Sequence, residues 1–191
     1  VLRDVDDRGF EIGLHPTWYA FDDAEELAAQ KHQLESVLGH EVRSVRQHWL
    51  HYDIRKTTRA HSAAGFEYDS TLGVTGNVGF RFGTAYPWQL HDLDSGEDLD
   101  LFEVPLIAQD TSLFDAKHMG LDEELAVAYV TNLADAVERV GGVLTLNWHP
   151  DLTLPEKRWN TFVRVVEELD DRGAWFATTS QLGDYWREQY G

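Results

Sequence analysis

Three stretches of this chain share one design: a short apolar segment that ends in histidine or arginine and gives way to a helical pattern. In the first, Phe10, Ile12 and Leu14 alternate with Glu11 and Gly13, the period of two that marks a strand. Pro16 has no N–H to give a ladder, so the strand is expected to end with His15 at its tip. A second strand, over 42–46, runs out into Arg46, Gln47 and His48, and a third, over 143–148, ends in His149-Pro150. One histidine at a strand end is most often structural. Three such tips, each followed by a helix, are how an α/β barrel gathers a site at the C-terminal ends of its strands.

With 191 residues the chain is read as one domain, large enough for a real core. Seven Trp and 42% hydrophobic residues exclude a disordered chain. No apolar run is long enough to span a bilayer, which needs about 18 or more residues. The net charge is −18, from 34 acidic and 16 basic residues, and only four of the basic ones are Lys. That balance argues against nucleic acid and anionic membranes as partners. It is also what a protein working in high salt would carry, since screening removes the self-repulsion; an ordinary acidic enzyme is the alternative. With no Cys there is no disulfide, thiol nucleophile or thiolate metal site, so any metal must be held by His and carboxylates. No leader is visible, which favours the cytoplasm, but the chain opens at Val1 without Met and export stays open.

Along the chain, residues 1–8 read as the last turns of a helix stopped by Gly9, and Asp4 to Asp7 lie on that approach rather than at a strand tip. Asp22-Asp23 can cap a helix whose apolar face is Ala24, Leu27, Ala28, Leu34, Val37 and Leu38, with Gly39 as its stop. A short helix over 54–64 is stopped by Gly65, and 66–71 reads as a strand. Glycines 73, 76, 79, 83 and 96 recur without a period among aromatics, so 73–98 reads as a long loop. Residues 102–107 form a strand interrupted by Pro105 and lead to Gln109-Asp110-Thr111. Leu125, Ala128, Tyr129, Leu133, Ala136, Val137 and Val140 make a core-facing helical stripe. Pro155 opens the next helix, with a face of Trp159, Phe162, Val163, Val166 and Leu169. Residues 175–178 read as a final strand, and Ser180 as the cap of a last helix over 181–189. Alternating strands and helices predict a parallel sheet with helices outside.

Four of these segments together resemble the polysaccharide deacetylases, the NodB-homology carbohydrate esterases. Glu11-Ile12-Gly13-Leu14-His15 is similar to that family's H/E-[VI]-G-x-H-[ST]-x-x-H metal motif, and Arg46-Gln47-His48 to its R-x-P motif. Gly65-Phe66-Glu67-Tyr68-Asp69-Ser70 resembles the G-[FY]-x-Y-D-S-S segment of one branch, and residues 144–150 resemble the last motif, whose His is the general acid. The resemblance covers nearly the whole chain. It implies a deformed (β/α) barrel of about seven strands, one divalent metal, most often zinc, and hydrolysis of N- or O-acetyl groups on a polysaccharide or glycan. On this likeness His15 is a metal ligand and His149 the general acid, Arg46 orients a carboxylate, and Asp69 lies near the groove and orients a His.

The departures are specific. The family's second metal His falls at Tyr19, and the proline of R-x-P is His48, so His48 is the candidate for the missing ligand, with His51 competing for that role. The family's first motif, T-F-D-D, which supplies a base Asp and a metal Asp, has no match, so the natural protein is expected to carry more residues before Val1 or a partner over that side. Two other readings stay open. One is a non-catalytic relative that binds sugar through Trp18, Trp49, Trp88 and Trp148. The other is a barrel hydrolase acting on C–N bonds of small amides, which would have a closed pocket rather than a groove.

Overall fold

The computed structural model describes residues 1–150 and 156–190, without the Lys157 side chain. In chain order it forms helix α1 (Leu2–Asp6), a 3-10 helix (Trp18–Asp22), α2 (Ala24–Leu38), strand β1 (Ser44–Val45), a second 3-10 helix (His48–Leu50), α3 (Thr57–Ala63) and β2 (Tyr68–Asp69). There follow β3 (Trp88–His91), β4 (Asp98–Glu103), β5 (Ala108–Gln109), α4 (Asp110–Phe114), α5 (Glu123–Val140), β6 (Leu146–Asn147), α6 (Glu156–Asp171) and α7 (Thr179–Tyr190). These elements fall into two compact units. The first holds Val1–Leu72, Pro87–Val104 and Ala177–Gly191; the second holds Gly73–Tyr86 and Pro105–Phe176. Among the described residues there are six strands, one short of the seven expected, and they form two open sheets rather than one closed barrel.

The helix signals read from the sequence are realised in atoms. Asp23 accepts hydrogen bonds from the N–H groups of Glu25 and Glu26, satisfying donors that the start of α2 leaves over, and Gly39 ends that helix at φ +89°. Asp122 caps α5 in the same way, and Gly141 stops it.

In the first unit the sheet order is β1-β2-β4-β3. β1, β2 and β4 are parallel and in register, with Ser44 beside Tyr68 beside Phe102, and Val45 beside Asp69 beside Glu103. Their C-terminal ends therefore lie in one row. The expected strand through Phe10, Ile12 and Leu14 is reduced to one bridge, Leu14 to Val45. Phe10 is 62% exposed, so the alternating pattern has no second layer to bury it. Gly13 is required where this segment crosses β1, because a Cβ there would lie 2.6 Å from Ser44 Oγ. The stretch read as loop over 73–98 contains β3, which pairs antiparallel with β4 through a turn at Asp92–Glu97. Behind the sheet, Leu14, Leu27, Val42, Val45, Ala60, Phe66, Leu72, Leu90 and Leu101 form the core.

α7 belongs to the first unit. Its cap is Thr178, not Ser180: the Thr178 hydroxyl accepts from the Gln181 N–H at 3.2 Å, and the Gln181 side chain accepts from the Thr178 N–H at 3.0 Å, a reciprocal capping box. Ser180 instead gives its N–H and hydroxyl to the Glu11 carboxylate, at 2.8 and 2.7 Å. A carboxylate belongs at that end of the helix, where unpaired N–H groups carry partial positive charge. Gly183 lets α7 press on the Tyr68 ring, 2.1 Å from where a Cβ would sit. The next residue, Asp184, joins Arg43, which also forks onto Glu67. Residues 175–178 form no strand, and Trp175 and Phe176 are exposed.

In the second unit β5 and β6 are parallel, with Ala108 opposite Leu146 and Gln109 opposite Asn147. α5 buries Ala126, Val127, Val130, Ala134 and Val137, a face rotated from the expected stripe, and leaves Leu125, Tyr129 and Val140 exposed. From that face Ala126, Val127 and Val130 share a core with Ala108, Leu113 and Val165. The expected start of α6 at Pro155 lies outside the described residues. No described helix is long and apolar enough to cross a membrane.

Candidate active site

Because β1, β2 and β4 end in one row, the residues just past those ends are gathered in the first unit. Leu14 donates to the Ser44 carbonyl and accepts from the Arg46 N–H, which fixes His15 beside Arg46. His15 Nδ1 lies 2.7 Å from the Arg46 carbonyl oxygen. A carbonyl only accepts, so Nδ1 carries the proton and Nε2 keeps the lone pair. That Nε2 lies 3.1 Å from His48 Nδ1. The two imidazoles proposed as metal ligands from the sequence are thus neighbours, with ring centroids 4.9 Å apart.

Two nitrogens bound tetrahedrally to one zinc ion stand about 3.3 Å apart, so this spacing suits two ligands of one ion. A backbone carbonyl holding the far nitrogen of a ligand His is the usual supporting contact. The set is incomplete, however: among the described residues no group of three His, Asp or Glu side chains converges. His51, the alternative ligand, stacks on Trp18 at 4.1 Å and packs on Phe21 at 3.9 Å.

The turn carrying His48 is unusual in its backbone. Trp49 and Leu50 have φ of +56° and +53°. Left-handed backbone costs an L-residue other than glycine about 1–2 kcal/mol, and such residues persist where the surroundings over-determine them. The turn raises Trp49 to 75% exposure, with Trp18, 39% exposed, edge-on to it at 6.3 Å. Trp88 sits on β3 and packs against the core of the first unit. Trp148 packs among Phe114 and Phe162 in the second unit, and its indole N–H is buried with no hydrogen-bond partner among the described residues.

The same unit holds Arg46, Asp69 and a residue the sequence reading did not select, His61. Arg46 gives Nε and Nη2 to the carbonyl and hydroxyl of Ser70, each at 2.8 Å. Burial lowers the pKa of its guanidinium, while Glu103 and Asp69 oppose that shift. Asp69 has no exposed surface, and its Oδ2 lies 2.8 Å from His61 Nδ1. The expectation that Asp69 orients a histidine thus has a partner in His61. Burial, followed by the Asp69 and Glu103 carboxylates, pushes the nearby Tyr52 hydroxyl well up.

The second unit holds His149. Past the ends of β5 and β6, Asp110 accepts the His149 backbone N–H at 3.1 Å through Oδ2 and meets His149 Nδ1 at 2.7 Å through Oδ1. Asp110 is fully buried, while the His149 side chain is 40% exposed. Arg158 on α6 places a cation 3.9 Å from Asp110 Oδ2 and is itself anchored on Asp115 at 2.9 Å. Asp110 accepts Nδ1–H and so fixes the tautomer of the neutral His149 ring, with the lone pair on Nε2. Sequence reading reached Asp110 only as the residue to which a strand leads; the signal was a carboxylate directly after a strand, opposite a strand that ends in His.

No protein-family model matches this sequence, and no curated protein matches it. Solved structures do. A protein from Mycobacterium smegmatis described as a polysaccharide deacetylase superposes with a TM-score of 0.75 at 22% identity, over 98% of this chain and 66% of its own length. Puue allantoinase gives 0.76 at 16% identity, over 99% and 63%. A protein from Pseudomonas aeruginosa PAO1 described as a polysaccharide deacetylase gives 0.74 at 18% identity, over 99% and 63%. The chain therefore spans just under two thirds of these relatives. It carries the fold of the polysaccharide deacetylases, shared with the allantoinase.

Proposed function

We propose that this chain belongs to a hydrolase that removes acetyl groups from a polysaccharide or glycan, with His149 as general acid. The Asp110–His149 pair carries the reading. When the C–N or C–O bond of the tetrahedral intermediate breaks, the leaving nitrogen or oxygen must take up a proton, and His149 Nε2 would deliver it. The buried Asp110 carboxylate holds Nδ1–H and stabilises the imidazolium before transfer. His15 and His48 would hold one divalent ion, zinc above all, and that ion would polarise the acetyl carbonyl. Arg46 supports the pair through its carbonyl bond to His15. Trp18 and Trp49 offer exposed ring faces on which a sugar can stack.

The test is acetate release from acetylated oligosaccharides, with and without added zinc, by wild type and His149→Ala. Release by wild type that requires the metal and is lost in the variant supports the reading. Equal release by both overturns it. A second reading, hydrolysis of C–N bonds in a small amide, is favoured by the likeness to Puue allantoinase. Ring opening of allantoin, measured in parallel, separates the two. Oligosaccharide binding without turnover would make the chain a sugar-binding relative.

A further inference from the structure

The Asp69–His61 pair has no role in that chemistry, yet it is part of a closed circuit in the first unit. Asp69 accepts His61 Nδ1–H, so His61 Nε2 is an acceptor, and the Gln47 side-chain amide meets it at 2.7 Å. The Gln47 backbone N–H donates to Thr71 Oγ1 at 2.9 Å. Thr71 in turn donates its hydroxyl to Asp69 Oδ1, and its N–H to the same oxygen at 3.0 Å. Backbone and side chain of Gln47 thus both return to one carboxylate. Gln47, His61, Asp69 and Thr71 are all 0% exposed, so water does not compete for these bonds.

Gln47 occupies a decisive place. The residue before it supplies the carbonyl that orients His15, and the residue after it is His48. Then come Trp49 and Leu50, the only non-glycine residues with positive φ among those described. A left-handed turn of two bulky residues needs an anchor, and the circuit is anchored at its first residue. We infer that His61 is a positioning residue: through Gln47 it holds the turn that brings His48 to His15 and presents Trp49 to solvent. Its value for catalysis rests on the reading of His15 and His48 given above; the geometric link does not.

Histidine-ring and indole NMR of the full chain, free of metal and substrate, tests the link. Wild type should show a cross-peak between the His15 and His48 rings and a distinct Trp49 indole resonance, assigned with His48→Ala and Trp49→Phe. In His61→Leu the cross-peak should vanish and the Trp49 resonance shift, while α2 amides stay in place. In His61→Gln, whose amide offers one donor to Asp69 and one acceptor to Gln47, both signals should return. A His61→Leu protein that keeps both signals overturns the inference. If that variant does not fold, Thr71→Val opens the other limb of the circuit and is read by the same two signals. On a substrate that turns over, His61→Leu should lower kcat about 100-fold with KM little changed, the scale of a displaced catalytic group. Lost signals in a protein with no turnover on any acetylated sugar would refute the deacetylase reading and leave the positioning role standing.

Discussion

His61 and His149 each give Nδ1–H to an aspartate, at 2.8 and 2.7 Å, and both aspartates are fully buried. The difference lies in how far each ring reaches solvent. His61 is sealed, and Gln47 occupies its Nε2. His149 is 40% exposed. The same bond therefore serves two ends. Where the imidazole is closed off, the pair can only hold structure. Where it reaches solvent, the pair can move a proton. A carboxylate–histidine contact alone does not mark a catalytic residue.

The comparison can be broken first through activity. His149→Ala should lower kcat by 10²- to 10⁴-fold, roughly the worth of a general acid, and lower the urea midpoint less than loss of the sealed ring does, because water can reach Asp110 where the half-exposed ring was. A variant with wild-type turnover would remove the distinction between the two pairs. The reverse pattern is expected for His61→Ala. Removing one partner of a sealed pair strands Asp69, and unfolding in urea should show a loss of about 3 kcal/mol. A loss no larger than that of His149→Ala would mean that sealing adds nothing.

Smaller effects sharpen the contrast. Trp49→Ala should raise KM for an oligosaccharide about 5- to 10-fold, from roughly 1 kcal/mol of lost stacking, with no loss of stability because the ring lies in solvent. The smallest effect comes from a pair more open than either dyad. Hydrogen bonds from Arg43, then from Tyr68, hold Asp184 down at about 2. A carboxyl depressed in the folded state stabilises above its ordinary pKa and loses that contribution as pH falls. The urea midpoint should therefore fall as pH drops from about 4 towards 2, and Asp184→Asn should reduce the fall. Asp184 is 45% exposed, so the effect should stay below about 1 kcal/mol.

The parts of the fold that local chemistry decides were legible in the sequence. Asp23 and Gly39 bound α2 as their capping chemistry requires, and Gly141 stops α5. The strands were less legible because pairing is decided at a distance. Phe10 and Ile12 alternate correctly but pair with no strand among the described residues, whereas Trp88–His91 lay in a glycine-rich stretch and still found β4. The same holds for the site. His15 and His48 could be set together because the likeness to the deacetylase motifs puts His15 at the metal position and His48 where the proline of R-x-P falls. His61 was not found, because it lies on a helix among Thr57, Thr58 and Ala60, where its burial is visible only after folding. Glu11, read as part of a metal motif, is committed to the start of α7 by Ser180, a residue 169 positions away.

That last contact bears on how the chain is made. Synthesis runs from the N-terminus, so Glu11 leaves the ribosome long before Ser180 exists to receive it. The second unit has all its pieces once Phe176 has been added, while the first must wait for Ala177–Gly191. Until then the Tyr68 face against which Gly183 will press stays uncovered, and Arg43 lacks Asp184. A nascent chain arrested before residue 177 should therefore contain a finished second unit and an unfinished first, and the segment around Glu11 should be among the last to gain protection from proteolysis.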